Sequence, residues 1–339
     1  MAQPNDPYKL MDSWRALTGN ANGDGWRTIP LDLSGSCLLM AGRYYPDDAE
    51  AILIGFESVI VPANKHLPQG QGFRVEKIKN SVTSESKIWV ALSRLPSGSI
   101  DMFTVMVQDI VQTIYMHAKD NENSIFQMFL GRVRAWQSFM EKASVGILSI
   151  EAEIGLFGEL VILDKMLRSG MHPNLALNSW MGPLNGVHDF RLGDGGIEAK
   201  STVAENSFIA KIGSLEQLDN TLVRPLYLAG VRLALSESGV TLPEFIQEVR
   251  HYFDEDSLTQ NTYDCRFIQA GFLTSFSDRY TRRFRHVKTT VYEVTDSFPR
   301  LTRNNVPLEI LKGYYELDMA LVKGPVFGID EVLEILRGN

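Results

Sequence analysis

The sequence has few cysteines, no long apolar run and no excess of basic residues. Its two cysteines among 339 residues, Cys37 and Cys265, lie outside any Cys-x-x-Cys pattern, which excludes a disulfide framework and a zinc ribbon. No apolar run approaches the roughly 18 residues of a membrane span, and the N-terminus lacks a basic region followed by an apolar core. We therefore expect a cytoplasmic protein with no membrane partner.

The charge balance is acidic, with a net charge of −8 and a pI near 5.4. Non-specific coating of nucleic acid needs a dominant cationic surface, so that class is excluded, whereas a local basic groove is not. The densest basic segment spans 278–288 and contains Arg279, Arg282, Arg283, Arg285 and Lys288 beside Tyr280 and Phe284. We favour a solvated strand or loop face over a phosphate-binding patch for this segment.

The length of 339 residues and a hydrophobic content of 44% predict two domains. Residues 1–122 are predicted to form a β-rich N-terminal domain with helices, because strand-like runs fill the stretch 34–95. The boundary falls in the polar linker KDNENS, which separates two helical segments. Residues 123–339 alternate helices and strands, which favours an α+β or α/β layer. Neither a nucleotide-binding glycine motif nor H-E-x-x-H occurs.

The stretch Asn185 to Thr202 predicts a β-hairpin, with apolar-patterned runs on both sides of a Gly-rich turn. A turn at Gly193-Asp194 places Asp189 directly opposite Glu198. Alternation of side chains along the strand puts Lys200 on the same face, with Ala199 facing away. Opposed side chains are roughly 5 Å apart, where like charges repel. The group therefore indicates either a divalent-metal site or a partly neutralised ion cluster.

Two flanking segments add polar groups to this hairpin. The segment 150–168 is apolar on two stripes and predicts a helix buried between layers. Glu159 lies at the edge of one stripe, so its carboxylate either forms an ion pair at the core margin or is a third acid aimed at the hairpin. After the hairpin, Ser214 and Gln217 match a capping box and predict a helix that begins at Ser214. That capping role explains Gln217 without any active site.

The tripeptide Glu-x-Lys is a weak signal by itself, because Glu85-Ser86-Lys87 repeats it elsewhere in the chain. Glu198-Ala199-Lys200 differs in its context. It follows a buried acidic helix, a strand with an Asp and a Gly-rich turn, in that order. The order of the parts, and not the spacing, carries the functional signal.

The runs GLFGELVIL, SWMGPLNGVHDF and GIEAKS resemble the core of the PD-(D/E)XK nuclease superfamily, which has the restriction-endonuclease-like fold. The similarity covers roughly residues 150–235 and is greatest to a bacterial group of nuclease-like proteins. It implies a mixed sheet flanked by helices within residues 123–339. Val187-His188 precedes Asp189 where the name-giving Pro would stand, at a position that varies in the superfamily.

The resemblance also implies a metal site and a reaction. Asp189 and Glu198 would bind Mg²⁺, for which Mn²⁺ can substitute, with the Ala199 carbonyl as a third ligand. Lys200 would position or deprotonate the attacking water and stabilise the charge that develops on the phosphorane. Glu159 matches the acid contributed by the preceding helix and would be a further metal ligand, and Gln217 matches a glutamine on the following helix. His188 is expected to be packed or hydrogen-bonded behind the sheet.

The function implied by the resemblance is Mg²⁺-dependent hydrolysis of DNA phosphodiester bonds, in bacterial defence or DNA processing. The alternative is a subunit with the nuclease fold that binds nucleic acid or assembles a larger system without cutting. A third interpretation is a purely structural ion cluster formed by Asp189, Glu198 and Lys200. DNA is the expected partner, and a homodimer or a partner subunit is compatible with the first two interpretations.

Overall fold

The structure is a computed structural model and describes residues 7–19, 24–31, 35–78, 87–142, 146–221 and 223–338. The chain divides into two compact units, Met1–Val145 and Gly146–Asn339. Among the helices in these ranges, none combines the length and the hydropathy needed to cross a membrane.

Within the described ranges, the first unit contains a five-stranded antiparallel sheet and three α-helices. The helices are α1 (Pro7–Ala16), α2 (Ile100–Met116) and α3 (Glu122–Glu141). The strands are β1 (Gly25–Leu31), β2 (Leu38–Tyr45), β3 (Ala49–Phe56), β4 (Phe73–Lys77) and β5 (Ile88–Arg94), in the sheet order β1-β2-β3-β5-β4. The β-rich character predicted for this part of the chain is therefore present.

The division between the units lies 23 residues beyond the predicted boundary at 122, since the first unit ends at Val145. The helix α3, which the linker KDNENS was expected to separate from the first domain, packs within that domain. Its Phe126 contacts Phe56 of β3 edge to face, with ring centroids 5.6 Å apart. A polar linker marks a chain turn, but the apolar face of the next helix decides which core it joins.

The second unit is built on a mixed five-stranded sheet. Its helices are α4 (Ile150–Arg168), α5 (Pro173–Ser179), α6 (Leu242–Arg250), α7 (Ser257–Ala270) and α8 (Ile329–Gly338). Its strands are β6 (Phe190–Leu192), β7 (Gly195–Thr202), β8 (Ile209–Ile212), β9 (Leu226–Thr241), β10 (Arg283–Glu293), β11 (Tyr315–Asp318) and β12 (Val326–Phe327). The sheet order is β12-β10-β9-β7-β6, and β8 pairs with β11 in a separate ribbon.

The central pair of this sheet, β7 and β9, is parallel, whereas the flanking pairs are antiparallel. One face packs on the helices, with Ile197 and Val231 in the same core as Leu160 of α4. The opposite face packs on the β8–β11 ribbon, where Leu228 shares a core with Met319. The result is the mixed sheet flanked by helices that the sequence predicts, and the bounds of α4 agree with those predicted.

The predicted helix at Ser214 is wrong, because residues 214–218 form bends and a turn. Hydrogen bonds to two side chains hold this segment in a non-helical conformation. The Ser214 hydroxyl accepts from the backbone N–H of Glu216 at 3.3 Å, and Gln217 Oε1 accepts from the N–H of Gly213 at 2.8 Å. Side-chain bonds of this kind compete with helical backbone bonds. The capping-box interpretation of Gln217 is therefore wrong as well.

Candidate functional site

The hairpin β6–β7 sets the position of Asp189, the first of the three acids. Phe190 pairs with Ile197 at the start of β6, and Asp189 immediately precedes this pair in a bend. The turn needs Gly193, whose φ of 54° lies in the left-handed region. Asp189 Oδ2 accepts a hydrogen bond of 2.8 Å from the N–H of Ala199. Since the N–H and C=O of one strand residue point to the same side, the Ala199 carbonyl also faces the side of Asp189.

Glu198 and Lys200 form a buried ion pair on β7. Lys200 Nζ lies 2.7 Å from Glu198 Oε1, and the two side chains are 18% and 1% exposed. Among the residues that the structure describes, Glu198 Oε2 has no hydrogen-bond partner. Burial, followed by the charge of Asp189, raises the pKa of Glu198 to about 8. Burial disfavours the charge on Lys200, yet Glu198 outweighs this effect and the pKa of Lys200 is raised.

Glu159 reaches the hairpin from α4. Its Oε2 accepts a 2.7 Å hydrogen bond from the indole N–H of Trp180. Trp180 is fully buried and forms an isolated antiparallel β-bridge with Phe190. Burial, and next the charge of Asp189, raise the pKa of Glu159 well above its ordinary value, and Glu198 adds to the effect. Burial also raises the pKa of Asp189. Three carboxylates from three segments thus repel each other beside one ammonium group.

Gly182 allows the carboxylates of Glu159 and Asp189 to approach each other. It lies in a short 3-10 turn, Gly182–Leu184, whose first N–H donates to the carbonyl of Asp189 at 3.1 Å. A Cβ on Gly182 would overlap Glu159 Oε2 and would lie 3.1 Å from Asp189 Oδ1. A side chain at this position would therefore fill the space between the two acids.

We expect the substitution Gly182→Ala to lower the free energy of unfolding by about 1–3 kcal/mol. The added methyl must displace the Glu159 carboxylate and leave the buried Trp180 N–H without an acceptor. Chemical denaturation measures the effect. Gly155→Ala on α4 is the matched control, since its Cβ would meet nothing within 4 Å. Equal stability of the two variants would contradict this account.

The donor set suits Mg²⁺, although the described part of the chain brings no three Asp, Glu, His or Cys side chains into an arrangement that could hold a metal ion. Mg²⁺ needs no such cage, because it keeps several waters and binds through one or two carboxylates together with substrate phosphates. Asp189 and Glu198 are carboxylates, and Glu198 Oε2 is a buried acceptor lacking a partner within the described residues. These groups fit a magnesium ion, with the Ala199 carbonyl on the same side.

The other sequence candidates lie in different environments. Gln217 is not on a helix, and its side-chain oxygen binds the Gly213 N–H, so only its backbone approaches the hairpin, through a hydrogen bond to His188. His188 is 7% exposed, and burial lowers its pKa. Lys87 of the second Glu-x-Lys tripeptide lies 3.3 Å from Glu57, whereas Glu85 and Ser86 are outside the described residues.

Sequence reasoning missed Trp180 and Gly182 as parts of this site. Both lie in the run SWMGPLNGVHDF, which carries part of the family resemblance. The hydrophobic periodicity of this run does not single out either residue. Trp180 fixes the Glu159 carboxylate, and Gly182 leaves room for it. Neither role follows from residue type, because each depends on a contact between segments that are distant in the sequence.

The fold and the site together define a class. A mixed sheet flanked by helices, with an acid from α4 beside a hairpin that carries Asp189 and Glu-x-Lys, is the PD-(D/E)XK-like arrangement. A family model described as "Putative PD-(D/E)XK family member, (DUF4420)" matches residues 10–320. The chain belongs to this family, and the match extends over the first unit as well. A search of curated proteins and a search of solved structures each gave no match.

Proposed function

We propose that the protein is a Mg²⁺-dependent nuclease that hydrolyses DNA phosphodiester bonds at the site formed by Glu159, Asp189, Glu198 and Lys200. One observation supports this most strongly. Three carboxylates with raised pKa values interact with one another beside the half-buried Lys200, and a folding core gains nothing from their mutual repulsion. Shifted pKa values of this kind cluster at functional sites. A defence or DNA-processing role in bacteria, with Mn²⁺ as a substitute, belongs to the same proposal.

In this mechanism Asp189 and Glu198 would hold the ion, and the Ala199 carbonyl would supply a neutral oxygen. When bound, Mg²⁺ supplies a cation that neutralises phosphate charge and lowers the pKa of a bound water. Asp189 is oriented for this role by the N–H of Ala199. Glu159, held by Trp180, is placed to accept hydrogen bonds from water at the same point.

Lys200 acts on the substrate side of the site. Its ammonium group is fixed by Glu198 at 2.7 Å and keeps its proton, because its pKa is raised. A fixed cation stabilises negative charge that develops on the phosphate, and it does so best where water is excluded. Because the ammonium keeps its proton while it is paired with Glu198, we assign Lys200 to charge stabilisation and water positioning. Gln217 has no part in this mechanism.

The experiment is a cleavage assay on double-stranded, single-stranded and branched DNA, with Mg²⁺, with Mn²⁺ and with chelator. We expect cleavage of at least one form with either metal and none with chelator. Asp189→Ala should remove the activity, because it takes away a metal ligand while leaving the sheet intact. Cleavage that persists in Asp189→Ala, or that is independent of metal, would overturn the proposal.

The second candidate is a subunit with the nuclease fold that binds or assembles without cutting. Two observations favour it: the net charge of −8, and the lack of a three-ligand cluster in the ranges that the structure describes. Such a subunit would bind DNA from the same panel but would leave every form intact with both metals. The cleavage panel therefore separates the two candidates.

A further inference from the structure

One face of the central sheet in the second unit carries three basic side chains, although the chain as a whole is acidic. The face of β7 that carries Glu198 and Lys200 continues across the sheet through paired residues. Thr202 pairs with Arg232 of β9, Arg232 pairs with Lys288 of β10, and Ala234 pairs with Arg285. Paired residues share a face, so three cations lie on the face of Lys200. We call Arg232, Arg285 and Lys288 the basic strip.

The basic strip is open to solvent where the rest of this face is covered. The β8–β11 ribbon packs over the half that contains Leu226 and Leu228. Beyond it, β7 changes from buried at Gly195–Glu198 to partly exposed at Ala199–Thr202. Arg285 and Lys288 are exposed. Solvent therefore reaches Lys200 from the side on which the strip lies.

No acid in the neighbouring strand segments neutralises the cations of the strip. No Asp or Glu occurs in the strand segments 200–202, 230–236 and 285–290. In the described ranges Arg285 and Lys288 form no ion pair, while Arg232 donates to the backbone carbonyls of Ala204, Glu205 and Ser207. Carbonyl oxygens orient a guanidinium group without neutralising it. The guanidinium also lies over the Phe208 ring, 5.5 Å from its centre.

The other cations of the basic segment 278–288 have different partners from those of the strip. Arg282 is paired with the buried Glu153, and Arg283 with Glu244 at 3.1 Å. Arg279 lies over the ring of Phe276. Arg282 and Arg283 are therefore paired with acids within the fold, whereas the ring contact of Arg279, like that of Arg232, leaves its charge unpaired. Within the segment, Arg285 and Lys288 lie on the sheet face of Lys200, two strands away, and form no ion pair in the described ranges.

We propose that the basic strip binds the phosphate backbone of DNA and leads it across the sheet to Lys200, an inference that rests on the proposed nuclease function. Charge complementarity identifies the occupant. Three cations in strand segments that carry no acid, on an otherwise acidic chain, fit a polyanion of regularly spaced charges. Contacts from Arg and Lys to phosphate oxygens supply affinity and orientation and carry no sequence information, so backbone binding by the strip confers no sequence specificity.

The test measures binding of a fluorescently labelled 30-base-pair DNA duplex, and of one of its strands, by anisotropy in chelator at several NaCl concentrations. The variant is Arg285→Ala with Lys288→Ala. Each lost phosphate contact reduces the slope of log affinity against log salt by about 0.9, so we expect a slope smaller by about 1.8. At 0.1 M salt the same relation lowers the affinity at least about tenfold. The charge-retaining pair Arg285→Lys with Lys288→Arg should bind as the wild type does.

The matched control is Arg134→Ala with Lys323→Ala, which removes one Arg and one Lys that are also exposed. We expect the control to keep the wild-type slope. If the strip variant and the control have the same slope and affinity, the inference is overturned. It is also overturned if the wild type binds neither probe, as expected for a strip that faces an acidic protein surface.

The assay distinguishes failure of this inference from failure of the proposed function. Metal-dependent cleavage by the wild type, together with unchanged binding in the strip variant, would overturn the inference alone. Binding that depends on the strip, without cleavage under any metal condition, would overturn the nuclease proposal alone.

Discussion

Replacement of Lys200 by alanine is expected to lower the rate of Mg²⁺-dependent DNA cleavage about 100- to 1000-fold, the usual effect of removing one group that stabilises transition-state charge. The variant should stay folded. Loss of the ammonium group leaves the Glu198 carboxylate buried without its ion pair, but a carboxyl group whose pKa is already raised to about 8 takes up a proton at neutral pH. The fold therefore keeps a neutral side chain at this position, and the site loses its fixed cation.

The second Glu-x-Lys tripeptide offers a matched control for this variant. Lys87 lies in the other unit and is held at 3.3 Å by Glu57. Lys87→Ala removes the same charge from the same tripeptide and should leave the cleavage rate unchanged. Far-ultraviolet circular dichroism checks the fold of both variants. Cleavage by Lys200→Ala within about threefold of the Lys87→Ala rate would show that Lys200 is not part of the reaction.

The sequence predicted the hairpin register because that register is a local property. A two-residue turn with glycine at a left-handed position leaves one way to pair the flanking strands, so Phe190 falls opposite Ile197 and Asp189 lies just before β6, within hydrogen-bond reach of Ala199. The bounds of α4 were predictable for a similar reason, since Ser149 caps the helix and the apolar stripes continue to Arg168. Each of these features is decided within about twenty residues of chain.

Features that depend on distant contacts were not predictable in this way. The Trp180 bond to Glu159 joins the end of α5 to α4, 21 residues earlier in the chain, and the role of Gly182 follows from that bond. The expected helix at Ser214 was wrong because local side-chain bonds to Gly213 and Glu216 replaced helical ones. The face shared by Lys200 and Lys288 is set by pairing across three strands, which the basic composition of 278–288 does not reveal.

The substitution Asp189→Asn is expected to raise the stability of the metal-free protein and to remove its response to Mg²⁺. The asparagine oxygen can still accept from the N–H of Ala199, while its amide nitrogen replaces the oxygen that faces Glu159 and can donate to it. One of three mutually repelling charges is thereby removed. We expect a gain of about 0.5–2 kcal/mol at pH 8, in the range of other substitutions that relieve a functional site.

The gain in stability from Asp189→Asn should increase as the pH rises. A carboxyl group whose pKa is raised in the folded chain stabilises that chain below its ordinary pKa, and this contribution is lost as the pH rises through the folded value. Glu198, with a pKa of about 8, is neutral at pH 5, where Asp189 repels it little. The pKa of Glu159 is also raised, which changes its repulsion with pH in the same direction. The advantage of Asp189→Asn over the wild type is therefore expected to be small at pH 5 and larger at pH 8.

Thermal unfolding with and without Mg²⁺ measures both effects of Asp189→Asn. A ligand that binds only the folded chain adds about 2.7 kcal/mol at one hundred times its dissociation constant, so saturating Mg²⁺ should raise the wild-type melting temperature above that of the variant. Asp194→Asn, at an exposed position in the turn of the same hairpin, is the control and should behave as the wild type does. A variant at Asp189 that melts below the wild type without metal and still gains stability from Mg²⁺ would mean that the three acids form a structural cluster. In that case the attraction between Asp189 and Lys200 would outweigh the repulsion among the carboxylates, and the ion would bind elsewhere.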